Sequence, residues 1–266
     1  MIKDITIGQY FPGNSFIHKL DPRTKIVISM IFIAILFITN NAIGYIALAL
    51  CLAVVIFISK VPPGYIFRGL KPIFYLIVLT VVLNLFMNKG PDEAPLFAFK
   101  FIVIYMTGVK MAIFLGLRLV YLIIGTSILT LTTSPMQLTD GIEMILRPIG
   151  KNIAHELAMM MTIALRFIPT LTDETDKIMK AQKSRGANFE TGSLIDKGKA
   201  VVPLIVPLFV SSFRRADELA MAMESRCYRG AEGRTRMNAL KVTGKDYMAY
   251  LFITVITILL ILIRIY

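Results

Sequence analysis

Two short stretches of this chain carry the residues best suited to gripping another molecule. One reads Ala181-Gln182-Lys183-Ser184-Arg185-Gly186 and the other Ala222-Met223-Glu224-Ser225-Arg226-Cys227. Each is Ala-x-x-Ser-Arg followed by a small residue. A guanidinium between small neighbours is uncrowded, and its fork of fixed donors matches a carboxylate on a partner. At a helix C-terminus the cation also suits the helix dipole. The same pattern serves plain helix termination, because Arg and Gly are common at helix ends. The near-duplication puts docking and termination on an equal footing.

Other chemistry is harder to find. A phosphate-binding loop needs G-x-x-x-x-G-K-[ST]. The nearest stretch, 192–199, ends Gly198-Lys199-Ala200, with its glycines one residue too far apart and Ala where Ser or Thr belongs. It reads as a linker between helices. His155-Glu156 lacks the second His of a zinc-binding helix. With His18 the only other histidine, no metal-ligand cluster is expected. Cys51 lies in an apolar run and Cys227 in a basic segment, so no disulfide is expected. No intramembrane Ser/His or paired carboxylates point to a protease or a proton relay. No cofactor is implied.

The elements that must position the Arg stretches follow from composition. Of 266 residues, 56% are hydrophobic, above the roughly 45–50% of soluble domains. The apolar residues fall in runs at 26–39, 42–59, 73–87, 109–131 and 247–265. A helix needs ~20 residues to cross a bilayer core of ~30 Å, or fewer with interfacial flanks. A further stretch, 96–106, is too short to span and reads as interfacial, re-entrant or half of a broken span. Five or six spans are expected. The first 25 residues are charged and lack the apolar stretch of a cleavable signal peptide.

The net charge of +12 would suggest nucleic acid in a soluble protein. Its distribution suggests a membrane instead. With the N-terminus in the cytoplasm, the inside segments carry 24 Lys and Arg and the outside segments 4, a strong positive-inside bias. Nucleic-acid binding is not needed. Arg118 lies near the middle of a span. Intramembrane charge is costly, so Arg118 either contacts a partner or substrate or forms a buried structural tie.

Residues 134–245 hold 17 basic and 12 acidic side chains and read as a cytoplasmic helical region. Ser134-Pro135-Met136-Gln137 is a helix-start signature, and Arg147-Pro148 should end that helix. From about 152 to 184, apolar residues recur every three or four positions, an amphipathic helix with Pro169 inside. A third helix is expected from about 201 to 228, containing Pro203 and Pro207. Met159-Met160-Met161, with Met221 and Met223, fits either core packing or a soft, adaptable surface. The fold class is all-α. Residues 1–133 and 246–266 form transmembrane helices, with long cytoplasmic amphipathic helices between.

The chain resembles the transmembrane T components of energy-coupling factor (ECF) transporters. The resemblance rests on Gly8-Gln9-Tyr10, Gly13-Asn14-Ser15 and His18-Lys19-Leu20-Asp21-Pro22-Arg23-Thr24-Lys25. It also rests on Ala164-Leu165-Arg166-Phe167-Ile168-Pro169, Phe213-Arg214-Arg215-Ala216-Asp217-Glu218-Leu219-Ala220 and the paired Arg stretches. It implies a non-catalytic scaffold in the cell membrane, whose cytoplasmic helices couple ATP hydrolysis to uptake of a vitamin or other micronutrient. Ser184, Arg185, Gly186, Ser225, Arg226 and Cys227 would dock on two ABC-type ATPase subunits, one Arg to each. A small membrane-embedded S component would bind the solute and lean on the scaffold's apolar face. Ser184 and Ser225 stand where the family has Ala. Cys227 stands where it has Gly, which leaves open whether the helix stops at Arg226 or at Arg229-Gly230. A different class, a self-sufficient secondary carrier or channel, is motivated by Arg118 and residues 96–106, although the spans hold almost no acidic residue. A membrane-bound enzyme is a third class, supported by no nucleophile–base pair.

Overall fold

The computed structural model describes residues 10–87, 97–99, 102–187, 194–230 and 239–265. Gly8-Gln9 of the N-terminal motif, Lys89, Leu96, Lys100 and Gly192 lie outside the described residues. The order of elements is α1 (Pro22–Ile38), α2 (Ala42–Ser59), α3 (Pro63–Leu70), α4 (Phe74–Met87), β1 (Phe97–Phe99), β2 (Ile102–Ile104), α5 (Met106–Thr132), α6 (Pro135–Leu146), α7 (Lys151–Ser184), α8 (Leu194–Glu224) and α9 (Gly244–Ile265). The architecture is all-α apart from one small hairpin.

The chain divides into two units, one of Gly8–Gly141 with Asn238–Tyr266 and one containing Ile142–Met237. In the first, α5 packs against α1, α2, α3 and α4, and α9 against α1 and α2. Phe32, Ile35 and Leu36 of α1 meet Tyr45, Leu48 and Leu52 of α2, Ile128 of α5, and Ile253 and Leu260 of α9. Tyr45 stacks on Phe114 with ring centroids 5.1 Å apart and planes 9° from parallel. Gly125 is what lets α5 approach α1, because a Cβ there would fall 2.5 Å from the Phe32 ring. Small residues at such crossings suit membrane helices, where close packing replaces the hydrophobic drive between helices.

The first unit is stapled by its polar ends. Asp21 caps α1, its carboxylate accepting from the Arg23 N–H at 2.9 Å and pairing with the Arg23 guanidinium. Asp246, fully buried, lies in the first turn of α9. Its Oδ1 accepts from the Asp21 N–H at 2.8 Å, and its Oδ2 from the Thr243 N–H and hydroxyl at 2.7 and 2.8 Å. Thr243 and Asp246 thus form a capping pair that also holds α1. The buried Lys25 ammonium donates to the carbonyls of His18 and Thr132.

Among the described residues, α2, α5 and α9 are long and apolar enough to cross a membrane, and a fourth span exists if α3 and α4 are one broken helix bent by 58°. The protein is a multi-pass membrane protein. At 17 residues, α1 is ~25 Å long at 1.5 Å per residue, somewhat under the core thickness.

Three local expectations change. The stretch 96–106, expected as interfacial, re-entrant or half of a broken span, holds strands rather than half of a spanning helix where it is described. It pairs as an antiparallel hairpin, with Phe97 opposite Ile104 and Phe99 opposite Ile102. Aromatic and β-branched residues favour a pleated strand. The helix α3 was not expected; it starts with Pro63 in its first turn, where a missing N–H costs nothing. The helix α8 begins at Leu194, so 194–199, expected as part of a linker, belong to a helix. One interior Gly costs a helix only ~1 kcal/mol, and Lys and Ala around Gly198 offset it.

In the second unit, α7 and α8 pack together. The Glu174 carboxylate of α7 accepts from the Ser211 hydroxyl of α8 and pairs with Arg215 at 2.9 Å. The Ser211 hydroxyl, with Arg215 beside it, holds the Glu174 carboxyl below the usual carboxylate range.

Candidate functional site: two arginine-capped helix ends

The Arg stretches end α7 and α8 by the same mechanism. At the first, the N–H of Gly186 donates to the Lys183 carbonyl and that of Ala187 to the Gln182 carbonyl, both at 3.0 Å. At the second, the N–H of Cys227 donates to the Glu224 carbonyl at 2.9 Å and that of Tyr228 to the Met223 carbonyl at 3.0 Å. These paired bonds, reaching back three and five residues, define a Schellman cap. The residue after each Arg must turn left-handed to close it. Gly186 has φ +88° and Cys227 φ +54°.

The open question about Cys227 is thereby resolved. The helix stops at Arg226, and Cys227 takes the left-handed conformation that Gly takes at the first end. A side chain there costs ~1–2 kcal/mol. Gly230, φ +77°, makes a separate turn further on. The two serines fit without cost, since Ser184 donates back to the Lys180 carbonyl and Ser225 to the Ala222 carbonyl.

Ser184, Arg185, Gly186, Ser225, Arg226 and Cys227 are all exposed. Among the described residues, neither Arg side chain has a hydrogen-bond or ion-pair partner. Each guanidinium therefore stands at the negative end of a helix with its fork free of every described residue.

The fold does not bring the two ends together. Glu174 of α7 meets Ser211 and Arg215 of α8. The Tyr228 hydroxyl, just beyond α8, lies 3.3 Å from His155 Nε2 near the start of α7. The residue numbers rise along one helix as they fall along the other, so the pair is antiparallel. Arg226 lies toward the His155 end and Arg185 at the far end of α7. The axis of α7 from His155 to Arg185 is ~45 Å long.

Arg118, whose role the sequence leaves open, donates through Nη2 to the Thr39 carbonyl at 3.1 Å and to Asn40 Oδ1 at 3.0 Å. Its guanidinium also lies over the Phe37 ring. It ties α5 to the turn after α1. A Ser/His contact does exist, with Ser15 Oγ 2.7 Å from His18 Nδ1, but Ser15 is buried and the other ring nitrogen faces the Phe11 carbonyl at 3.0 Å. The pair locks a loop.

Sequence reading missed Glu174, Ser211 and Arg215 as the tie between the long helices, and His155 as the neighbour of Tyr228. A signal for the latter was present, because Tyr228 occupies the position beyond the second cap that Ala187 occupies beyond the first.

Residues 13–237 match the family model described as CbiQ, cobalt transport protein. A Clostridium kluyveri protein called energy-coupling factor transporter transmembrane protein EcfT is 62% identical, over 100% of this chain and 99% of its own length. Proteins of the same description are 54% identical in Thermosediminibacter oceani, over 94% of each chain, and 46% identical in Bacillus subtilis, over 99% of this chain and 100% of its own.

Proposed function

The chain belongs to the CbiQ family of cobalt transport proteins, and within it we propose that it is the energy-coupling scaffold of an ATP-driven importer. It catalyses nothing itself and carries force from separate ATPases to a solute-binding membrane subunit. The observation that carries this reading is the pair of exposed Arg caps, unpartnered among the described residues, at opposite ends of an antiparallel helix pair. Each offers a free fork to a carboxylate-bearing groove. Their placement fits two receptors, one at each end, better than one shared groove. The receptors are two ABC-type ATPase subunits, in keeping with relatives named as energy-coupling factor transporter proteins.

A second surface fits the solute-binding S component. Val202, Val206, Phe209 and Phe213 of α8 are each more than half exposed, an apolar face suited to a membrane-embedded partner. The scaffold lies in the cell membrane with its N-terminus in the cytoplasm, as the excess of Lys and Arg in the inside segments supports. The solute, a vitamin or other micronutrient, is bound by that partner. A self-sufficient carrier loses part of its support, since Arg118 Nη2 is engaged by the Thr39 carbonyl and Asn40 Oδ1 in the turn after α1.

The test is to purify the complex with Arg185→Ala, Arg226→Ala and the double variant. Each single change should weaken capture of ATPase by ~2–5 kcal/mol, the range for truncating one partner of an interfacial charge pair. The double change should abolish ATP-dependent uptake while the chain remains in the membrane. Full uptake by the double variant refutes the reading.

A further inference from the structure

The two Arg ends are alike in backbone and differ in the residue just beyond the cap. After Gly186 comes Ala187, which has no polar side chain to reach elsewhere. After Cys227 comes Tyr228, whose backbone closes the cap and whose hydroxyl lies 3.3 Å from His155 Nε2. The other nitrogen of that ring, Nδ1, lies 3.2 Å from Glu143 Oε1. His155 and Glu143 expose only 17% and 16% of their side chains, so this contact is largely withdrawn from water, where such bonds are stronger.

The chemistry assigns the hydrogens. A carboxylate only accepts, so Nδ1 carries the proton and donates to Glu143. Nε2 is then an acceptor and takes the Tyr228 O–H. The line runs from α6 through α7 to the residue beyond Cys227. On α6, Gly141 precedes Glu143 by half a turn, and a Cβ on it would meet Pro22 and Ile26 of α1 at 3.1 and 3.0 Å.

A force applied at Arg226 meets a cap closed by a strained, non-glycine residue. Without a tie, the short turn 225–228 would yield first, and displacement of the Arg would be absorbed there. We propose that His155 is the positioning residue of the Arg226 end, joining Tyr228 to Glu143 so that movement at Arg226 is passed to α6. The Arg185 end has no such tie through the residue beyond its cap. The two ends therefore do different work: one transmits, and the other chiefly holds. This rests on the reading of Arg226 as an ATPase-docking residue.

The experiment uses the whole complex, with its ATPases and solute-binding subunit, in proteoliposomes. Tyr228→Phe removes one hydroxyl and keeps the ring. His155→Ala removes the link, and Glu143→Gln keeps an acceptor for Nδ1. Co-purification of ATPase, ATP hydrolysis and solute taken up per ATP hydrolysed are measured for each. Tyr228→Phe and His155→Ala should retain ATPase and hydrolysis, and lower uptake per ATP about fivefold or more, the scale of a lost hydrogen bond in a charged network. Their double variant should be no worse than His155→Ala alone, and Glu143→Gln should stay near wild type. Unchanged uptake per ATP in Tyr228→Phe, with ATPase still bound, overturns the proposal, as does an equal loss on removing a contact at the Arg185 end. Failure of the docking reading is visible separately, as undiminished capture of ATPase by Arg226→Ala.

Discussion

Arg215 of α8 reaches across to Glu174 of α7, its Nη2 2.9 Å from Oε2, and this pair is one of two points that set the antiparallel register of the long helices. The other is the contact of Tyr228 with His155. Two separated points are enough to define a direction, and that direction sends Arg185 and Arg226 apart.

The Glu174 tie should depend on pH in one sense only. Its carboxyl is held below its ordinary value near 4.5 by Ser211 and Arg215. A depressed carboxyl contributes stability above the unfolded value, and loses it as pH falls through the lower folded value. Glu174→Gln should therefore melt earlier than wild type at pH 7, by the ~0.5–1 kcal/mol of a partly exposed pair. The difference should shrink in acid, below the ordinary carboxyl range. Melting curves of the two purified proteins at several pH values give the answer.

Cys227 closes its cap in a conformation made for glycine. Cys227→Gly should stabilise the end of α8 by ~1 kcal/mol, and Gly186→Ala should destabilise the end of α7 by a similar amount. Hydrogen exchange at the Tyr228 and Ala187 amides reads the two caps directly. Slower exchange at Tyr228 in Cys227→Gly is the expected result.

The same cysteine is a reporter. Cys51 is buried and Cys227 exposed, so a membrane-impermeant maleimide should label one thiol on the folded chain. Because Cys227 adjoins Arg226, added ATPase subunits should protect it. The Cys227→Ser variant should take up no label, and labelling that is indifferent to the ATPases contradicts docking at this end.

Arg118→Ala should cost stability rather than mechanism. Loss of two hydrogen bonds from a cation is worth ~1.5–3 kcal/mol, so the melting temperature should fall. Uptake per folded copy should remain close to wild type. A large loss of uptake with an unchanged melting temperature would instead make Arg118 part of a solute path.

The membrane helices were legible because each is a run of apolar residues, and run length is what a bilayer selects. The helix start at Ser134 was legible for the same local reason. The Gln137 side chain accepts from the Ser134 N–H while Ser134 Oγ accepts from the Gln137 N–H, a contact within four residues. The Arg ends were legible from their repetition. The tie between Glu174 and Arg215 was not, since its partners are 41 residues apart and no local spacing announces it. The hairpin at Phe97–Ile104 was hidden by reading apolar content as length when its side-chain types favour strands. The seven extra residues at the start of α8 were hidden by reading 192–199 as a linker.

The staple between Asp21 and Asp246 has a consequence for how the protein is made. Its two halves are 225 residues apart, so at ~5–20 residues per second synthesis leaves roughly 10–45 s between the appearance of one and the other. Throughout that interval the N-terminal helix lacks the acceptor for the Asp21 N–H, and the first unit cannot close. The last helix is therefore the completion step of the membrane unit, and a chain cut short before Asp246 is left with an open seam that cellular proteases can find.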